Sequence, residues 1–171
     1  MTNFNYALNS LGIVITAQNE TQGYAKEQAF DGSDVTYAAC ANNTAYWLAV
    51  DLGAPQYIAT SRVLGKKATQ TANMWALQYS TDGTSWQNVG QAHDGQGDTS
   101  RETGGLTARY WRLYYGGSVG SGTGIYTWEL IGPIEAPPPP TNPTDDYVKA
   151  WLDGINANYK PSVDEWLAEN L

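Results

Sequence analysis

The chain has a single cysteine, Cys40, so no intramolecular disulfide can form and folding must rest on packing. Cys40 is read as a small buried or loop residue rather than a reactive thiol. No apolar run is long enough to span a bilayer, which argues against membrane insertion. The first ten residues lack the charged start and apolar stretch of a secretory signal, and the initiating Met favours a chain that begins here and is not exported by that route. Basic residues are scarce: 9 Lys and Arg stand against 17 Asp and Glu, for a formal net charge of -8. A phosphate backbone demands a basic patch, so nucleic acid is excluded as the expected partner. An anionic membrane surface is disfavoured for the same reason. Phenylalanine is nearly missing, with 2 Phe against 7 Trp and 12 Tyr. The aromatics present therefore combine apolar surface with a polar handle, which suits packed sheets and wet recognition surfaces alike.

What remains is organised in three parts. Residues 1–132 carry seven basic and ten acidic side chains and read as short strands broken by turns. Leu48, Val50 and Leu52 alternate onto one face before Gly53-Ala54-Pro55, and Trp75, Leu77 and Tyr79 share a face further on. Asp82-Gly83 followed by Trp86 is a hairpin signal. Tyr110-Trp111-Arg112-Leu113-Tyr114 alternates, as does the stretch from Tyr126 to Ile131. Gly-, Ser- and Thr-rich segments separate these runs, with no helical period between them. That pattern predicts an all-β antiparallel sandwich or barrel.

Residues 133–144 form a linker in which Pro137-Pro138-Pro139-Pro140 predicts a stiff polyproline II spacer. Residues 145–171 then change to a helical period. Tyr147, Val148, Trp151, Leu152, Ile155 and Tyr159 make one stripe, with Thr144 or Asp145 as cap. Ser162-Val163-Asp164-Glu165 has capping-box spacing and precedes Trp166, Leu167 and Leu171. Two helices this short are marginal alone. The tail is expected to dock Trp151, Leu152, Ile155, Trp166 and Leu167 on a protein partner or on a copy of itself; back-packing on the sandwich is the alternative.

Four ordered segments in the first part resemble the discoidin family, the coagulation factor V/VIII type C domains, and most of all the family 32 carbohydrate-binding modules. They are Ala29-Phe30-Asp31-Gly32-Ser33-Asp34-Val35-Thr36, Trp47-Leu48-Ala49-Val50-Asp51-Leu52-Gly53, Tyr79-Ser80-Thr81-Asp82-Gly83-Thr84-Ser85-Trp86, and Ala108-Arg109-Tyr110-Trp111-Arg112-Leu113, closed by Glu129-Leu130-Ile131-Gly132. The resemblance covers most of residues 10–132 and not the tail. It implies an eight-stranded antiparallel β-sandwich of galactose-binding-like jelly-roll topology, with ligand loops at one end. The vertebrate domains tie their termini with a disulfide that this chain cannot make, which points to the microbial carbohydrate-binding branch.

The resemblance also implies a structural calcium ion. Hard cations take six to eight oxygen ligands, and the matching positions offer the Gln28 carbonyl, Asp31, Ser33, Thr36, the Trp128 carbonyl and Glu129. The family usually has Asp or Asn where Ser33 stands, and Asp34 is the substitute. In the alternative reading Asp31 and Thr36 cap a turn and Glu129 pairs with an arginine. For sugar recognition the resemblance points to Lys66, Lys67 and Asn73 as hydroxyl-binding groups and to Tyr115 and Tyr126 as stacking aromatics. Trp75 and Tyr37 could also serve, and Asn42-Asn43-Thr44 sits in a predicted loop. The family often has Arg where this chain has lysine, which loses the bidentate fork.

Catalytic signals are poor. The one histidine, His93, lies in a polar stretch (residues 91–99) and is read as solvated. No nucleophile elbow, zinc spacing or phosphate loop is present. A glycosidase needs a positioned carboxylate pair, and Asp51, Asp82 and Glu129 match structural family positions. The expected function is therefore non-catalytic binding of a glycan or cell-surface polysaccharide, displayed on a larger assembly through the tail. The alternative is a structural, fibre-type appendage of a phage or virion with no sugar binding of its own. Either reading places the protein at a virion surface or outside the cell.

Overall fold

A long, bent antiparallel ribbon organises the fold. The computed structural model describes residues 3–39, 45–66, 75–117 and 123–133. Its strands are β1 (Asn3–Asn5), β2 (Val14–Gln18), β3 (Ala38–Ala39), β4 (Tyr46–Lys66), β5 (Ala76–Ser80), β6 (Gln87–Asn88), β7 (Gly97–Tyr115) and β8 (Gly124–Pro133). The ribbon is β4 with β7: Tyr46 to Asp51 pair with Tyr115 to Tyr110, and Gln56 to Gly65 pair with Ala108 to Gly97, with register shifts between. Those shifts fall where Gly53, Gly104 and Gly105 adopt φ of 79°, 77° and 76°, conformations that favour glycine. The ribbon folds over there, so each strand contributes to both layers of a sandwich.

One layer holds the first arm of β4 with β2 on one side and β7, β5 and β6 on the other. The second layer holds the other arms of β4 and β7 with β8, flanked by β1 and β3. All eight strands are thus hydrogen-bonded into one folded antiparallel sheet, as the family resemblance implied.

Period-two alternation explains which side chains meet between the layers. Leu48, Val50, Leu77, Trp111 and Leu113 come from one layer, and Ile58, Val63, Ile125, Trp128 and Leu130 from the other; all are buried. Each such side chain contributes roughly 1.5–3 kcal/mol relative to exposure, enough to hold a domain without disulfides. Residues Phe4–Gly132 form one compact unit. Pro133, the first residue of the expected linker, ends β8; the rest of the linker and the docking residues Trp151, Leu152, Ile155, Trp166 and Leu167 lie outside the described residues. Among the described residues, no helix is long and apolar enough to cross a membrane.

The hairpin signal holds in detail. Gln78 pairs with Asn88 and Tyr79 with Gln87. Asp82 Oδ1 accepts the backbone N–H groups of Thr84 and Ser85, both at 2.7 Å, and Gly83 takes φ of 74°. Those two donors hold the Asp82 carboxyl well below the usual carboxylate range.

Candidate carbohydrate-binding site

The register brings several chain ends to one end of the sandwich. Tyr46 pairs with Tyr115, Ala76 with Tyr114, Lys66 and Ala39 with Gly124, and Gln18 with Trp47. The chain enters and leaves segments 40–44, 67–74 and 118–122 from these positions. At this end Tyr24 and Tyr37 stack with ring centroids 4.6 Å apart and planes at 28°. Tyr126 meets Tyr37 edge-on at 5.4 Å. The Lys66 ammonium lies 3.5 Å from the Tyr37 ring centroid and 5.9 Å from that of Tyr24, a cation–π arrangement. Lys66 beside the phenol holds Tyr37 below the usual tyrosine range, and the neighbouring Tyr37 pushes Tyr24 up.

Local structure explains this cluster. Tyr24 sits in a turn opened by Gly23 at φ 86°, and Ala39 donates its N–H to the Tyr24 carbonyl at 3.3 Å. Tyr37 immediately precedes β3. It lies over Gly124, where a Cβ would come within 2.8 Å of the Tyr37 ring. Tyr126 and Lys66 are carried by neighbouring strands β8 and β4.

The structure thus brings together two of the expected ligand residues, Lys66 and Tyr126, and adds Tyr37, which was weighed as a stacking group. Tyr24, at 38% exposure, is the residue that sequence reasoning missed. A tyrosine after a glycine turn carries no pattern signal, and only the pairing of distant segments places it here. Tyr115 packs partly buried against the core, its ring centroid 6.2 Å from that of Trp75. Trp75 itself is fully buried and cannot offer a face to a sugar. Lys67, Asn73, Cys40 and the Asn42-Asn43-Thr44 stretch lie outside the described residues.

The expectation for His93 is corrected. It is fully buried because its backbone pairs with Trp75 in both directions, at 3.0 and 2.8 Å, which draws the ring between the layers. Its Nε2 lies 3.0 Å from Ser61 Oγ and its Nδ1 3.0 Å from Thr99 Oγ1. Burial pushes the imidazole down to about 4, and the Arg101 charge adds to that shift. A serine and a histidine do meet here, but both are at 0% exposure, and a threonine rather than a carboxylate faces Nδ1. The arrangement is a packed polar core rather than a triad open to substrate.

The residues expected to hold calcium form an oxygen-rich loop. Asp31 Oδ1 accepts the Ser33 N–H at 2.8 Å and Asp31 Oδ2 accepts the Thr36 hydroxyl at 2.6 Å. Ser33 Oγ accepts the Val35 N–H at 3.2 Å, and Asp34 Oδ1 accepts the Thr127 hydroxyl at 2.6 Å. Glu129 lies 2.9 Å from Arg62 Nη1, while Asp98 engages the Nε and Nη2 of the same guanidinium. Among the described residues, no three His, Cys, Asp or Glu side chains converge. The fit to a hard cation rests on Asp31, Ser33 and Thr36, with Gln28 three residues before Asp31 in the chain. Gln28 Oε1 is buried and finds no hydrogen-bond donor among the described residues. In this structure Glu129 is the ion-pair partner of Arg62 and does not join the hydrogen bonds of the 31–36 loop.

A two-layer antiparallel sandwich with its chain ends gathered around an aromatic cluster is the galactose-binding-like fold of carbohydrate-binding modules. The family model for the NedA-like, galactose-binding domain matches residues 28–113, and the chain belongs to this F5/F8 type C family. Solved structures agree. Chitosan-binding module 1 derived from a chitosanase/glucanase of Paenibacillus sp. IK-5 is 29% identical, with a TM-score of 0.63 over 75% of this chain and 99% of that one. Module 2 of the same enzyme, in complex with chitotriose, is 23% identical, with a TM-score of 0.64 over 75% and 100%. A Clostridium perfringens module in complex with GalNAc-β-1,3-galactose is 16% identical, with a TM-score of 0.58 over 70% and 96%. No curated protein sequence matches the chain.

Proposed function

We propose that this protein is a non-catalytic carbohydrate-binding module that takes its saccharide at the end of the sandwich bearing Tyr24, Tyr37, Tyr126 and Lys66. The observation that carries this reading is the cluster itself. Tyr24 offers an exposed ring, backed by Tyr37, for the apolar C–H face of a sugar, and Lys66 stands beside it as a hydrogen-bond donor to ring substituents. The structural neighbours that bind oligosaccharides support it. A glycan array with the full chain, multimerised to raise avidity, tests it. Binding to a saccharide, weakened at least tenfold by Tyr24→Ala with an unchanged melting temperature, is the expected outcome. Silence across the array would sink the reading.

The tail extends the proposal. Its proline spacer and apolar stripe support display of the module on a larger assembly, at a virion surface or outside the cell, through residues 145–171. The mass of the full chain in solution tests self-association. Charged replacements such as Trp151→Glu and Trp166→Glu should return an oligomer to monomers. A monomer at all concentrations would leave docking to a different protein. A calcium ion in the 31–36 loop, structural rather than catalytic, completes the proposal, supported by the unpartnered Gln28 Oε1.

A further inference from the structure

We infer that the saccharide recognised at this end is anionic, its carboxylate or sulfate group held by Lys66 while its ring lies on Tyr24. The inference rests on the carbohydrate-binding reading and names the class of ligand. It starts from charge bookkeeping around one lysine. Among the described residues, Lys26 is paired with Glu20 and Glu27, Arg62 with Asp98 and Glu129, Arg101 with Asp94, and Arg109 with Asp51. Arg112 is held by Gln78 Oε1 and lies 4.2 Å over the Trp86 ring. Lys66 has no carboxylate within ion-pairing distance among the described residues. Tyrosine faces hold it instead.

The surrounding sequence sharpens the point. Two carboxylates close in sequence to Tyr24 and Tyr37 have hydrogen-bond partners other than Lys66. Glu20, four residues before Tyr24, accepts from the Lys26 N–H at 3.0 Å as well as from its ammonium. Asp34 accepts from Thr127, which alternates to the other side of β8 from Tyr126. In a chain of net charge -8, Lys66 is thus an ammonium to which the described residues give tyrosine rings and no ion-pair partner.

The aromatic bed decides what that ammonium can do. Cation–π contact fixes the charge in place without neutralising it, because a ring quadrupole carries no net charge. A neutral sugar would use only the N–H donors, whereas an anionic one gains both the donors and the charge. An amino sugar bearing its own positive charge would meet the Lys66 ammonium as a like charge. This end is thus unsuited to the polyamine chemistry of chitotriose, although a structural neighbour binds that ligand.

Calorimetry or surface binding with the full chain tests this, using oligogalacturonate, a sulfated galacto-oligosaccharide, a neutral galacto-oligosaccharide and chitotriose at low and high salt. The expected result is at least tenfold tighter binding of one or both anionic ligands than of the neutral one. Raised salt should reduce that margin. Lys66→Gln should abolish it and Lys66→Arg retain it, with the melting temperature of each variant unchanged. The carboxylate and sulfate arms separate the two sources of charge. Equal or tighter binding of the neutral or amino saccharide, indifferent to Lys66→Gln, would overturn the anionic class while leaving carbohydrate binding intact. Failure of all four ligands, together with silence on the wider array, would overturn both.

Discussion

The Ser61 hydroxyl sits between two buried rings, accepting the Trp128 indole N–H at 3.1 Å and lying 3.0 Å from His93 Nε2. Indole nitrogen only donates, so the simplest assignment has Ser61 donate to a neutral His93. The ring proton is then on Nδ1, facing Thr99. Protonating His93 would place a second donor on Ser61 and a charge in the core, with Arg101 repelling it and Asp94 only partly offsetting that.

Acid should therefore weaken the fold in a defined window. The imidazole is held at about 4 when folded and titrates near 6.5 when unfolded. Between those values the unfolded state binds more protons, so stability is full above about pH 6.5 and falls as the pH drops towards 4. The loss is at most roughly 3 kcal/mol. Carboxylates held low, such as Asp51 beside Arg109, act only at still lower pH. Urea midpoints between pH 7 and 4 check this, and His93→Gln should flatten the slope. An equal slope in that variant would assign the pH dependence elsewhere.

Calcium at the 31–36 loop should stabilise the native state by mass action, by about 2.7 kcal/mol when free calcium is a hundredfold above its Kd. The melting temperature should rise with calcium, return with chelator, and stop responding in Asp31→Asn. A melt indifferent to calcium would leave Asp31 and Thr36 as the turn's own caps and Glu129 as the partner of Arg62.

Gly65, next to Lys66, packs against the backbone just before β7. A Cβ there would come 2.7 Å from the Gly95 carbonyl oxygen and 3.2 Å from the Gln96 nitrogen, both backbone atoms. Gly65→Ala should cost roughly 1–3 kcal/mol through forced backbone displacement and should weaken saccharide binding as well. Wild-type stability and affinity in this variant would show that the neighbouring loop yields freely.

Core contacts should cost more than loop contacts. Leu48 is fully buried between the layers, so Leu48→Ala should lose roughly 2–5 kcal/mol through lost transfer energy and a residual cavity. Tyr24→Ala, at the exposed end, should leave the urea midpoint nearly unchanged. A similar cost at both positions would contradict the division between core and site.

The strands were legible because their signals are local. Alternation at Leu48 and Val50, at Leu77 and Tyr79, and at Trp111 and Leu113 follows from two-residue periodicity, and the Asp82-Gly83 turn from backbone stereochemistry. An ion pair between Glu129 and an arginine was weighed as the alternative to calcium, and register across β4 and β8 makes that arginine Arg62. Other positions misled for a physical reason. His93 looked solvated because its neighbours in sequence are polar, but cross-strand pairing with Trp75 overrides sequence neighbourhood. The unbroken length of β4 was hidden because Gly53-Ala54-Pro55 reads as a terminator, whereas the ribbon bends through Gly53 and, on β7, through Gly104-Gly105.

The sequence alone determined the layered antiparallel fold, the family, and the shortage of basic and catalytic groups, because alternation, turn chemistry and composition are written residue by residue. Only the tertiary structure decided which aromatics are core and which face a ligand. Trp75 and Tyr24 are both large aromatics with a polar handle. One is sealed between the layers, and the other is stacked on Tyr37 beside Lys66. Burial is settled by which distant strands lie across from a side chain, and that is a property of the folded register rather than of any local run.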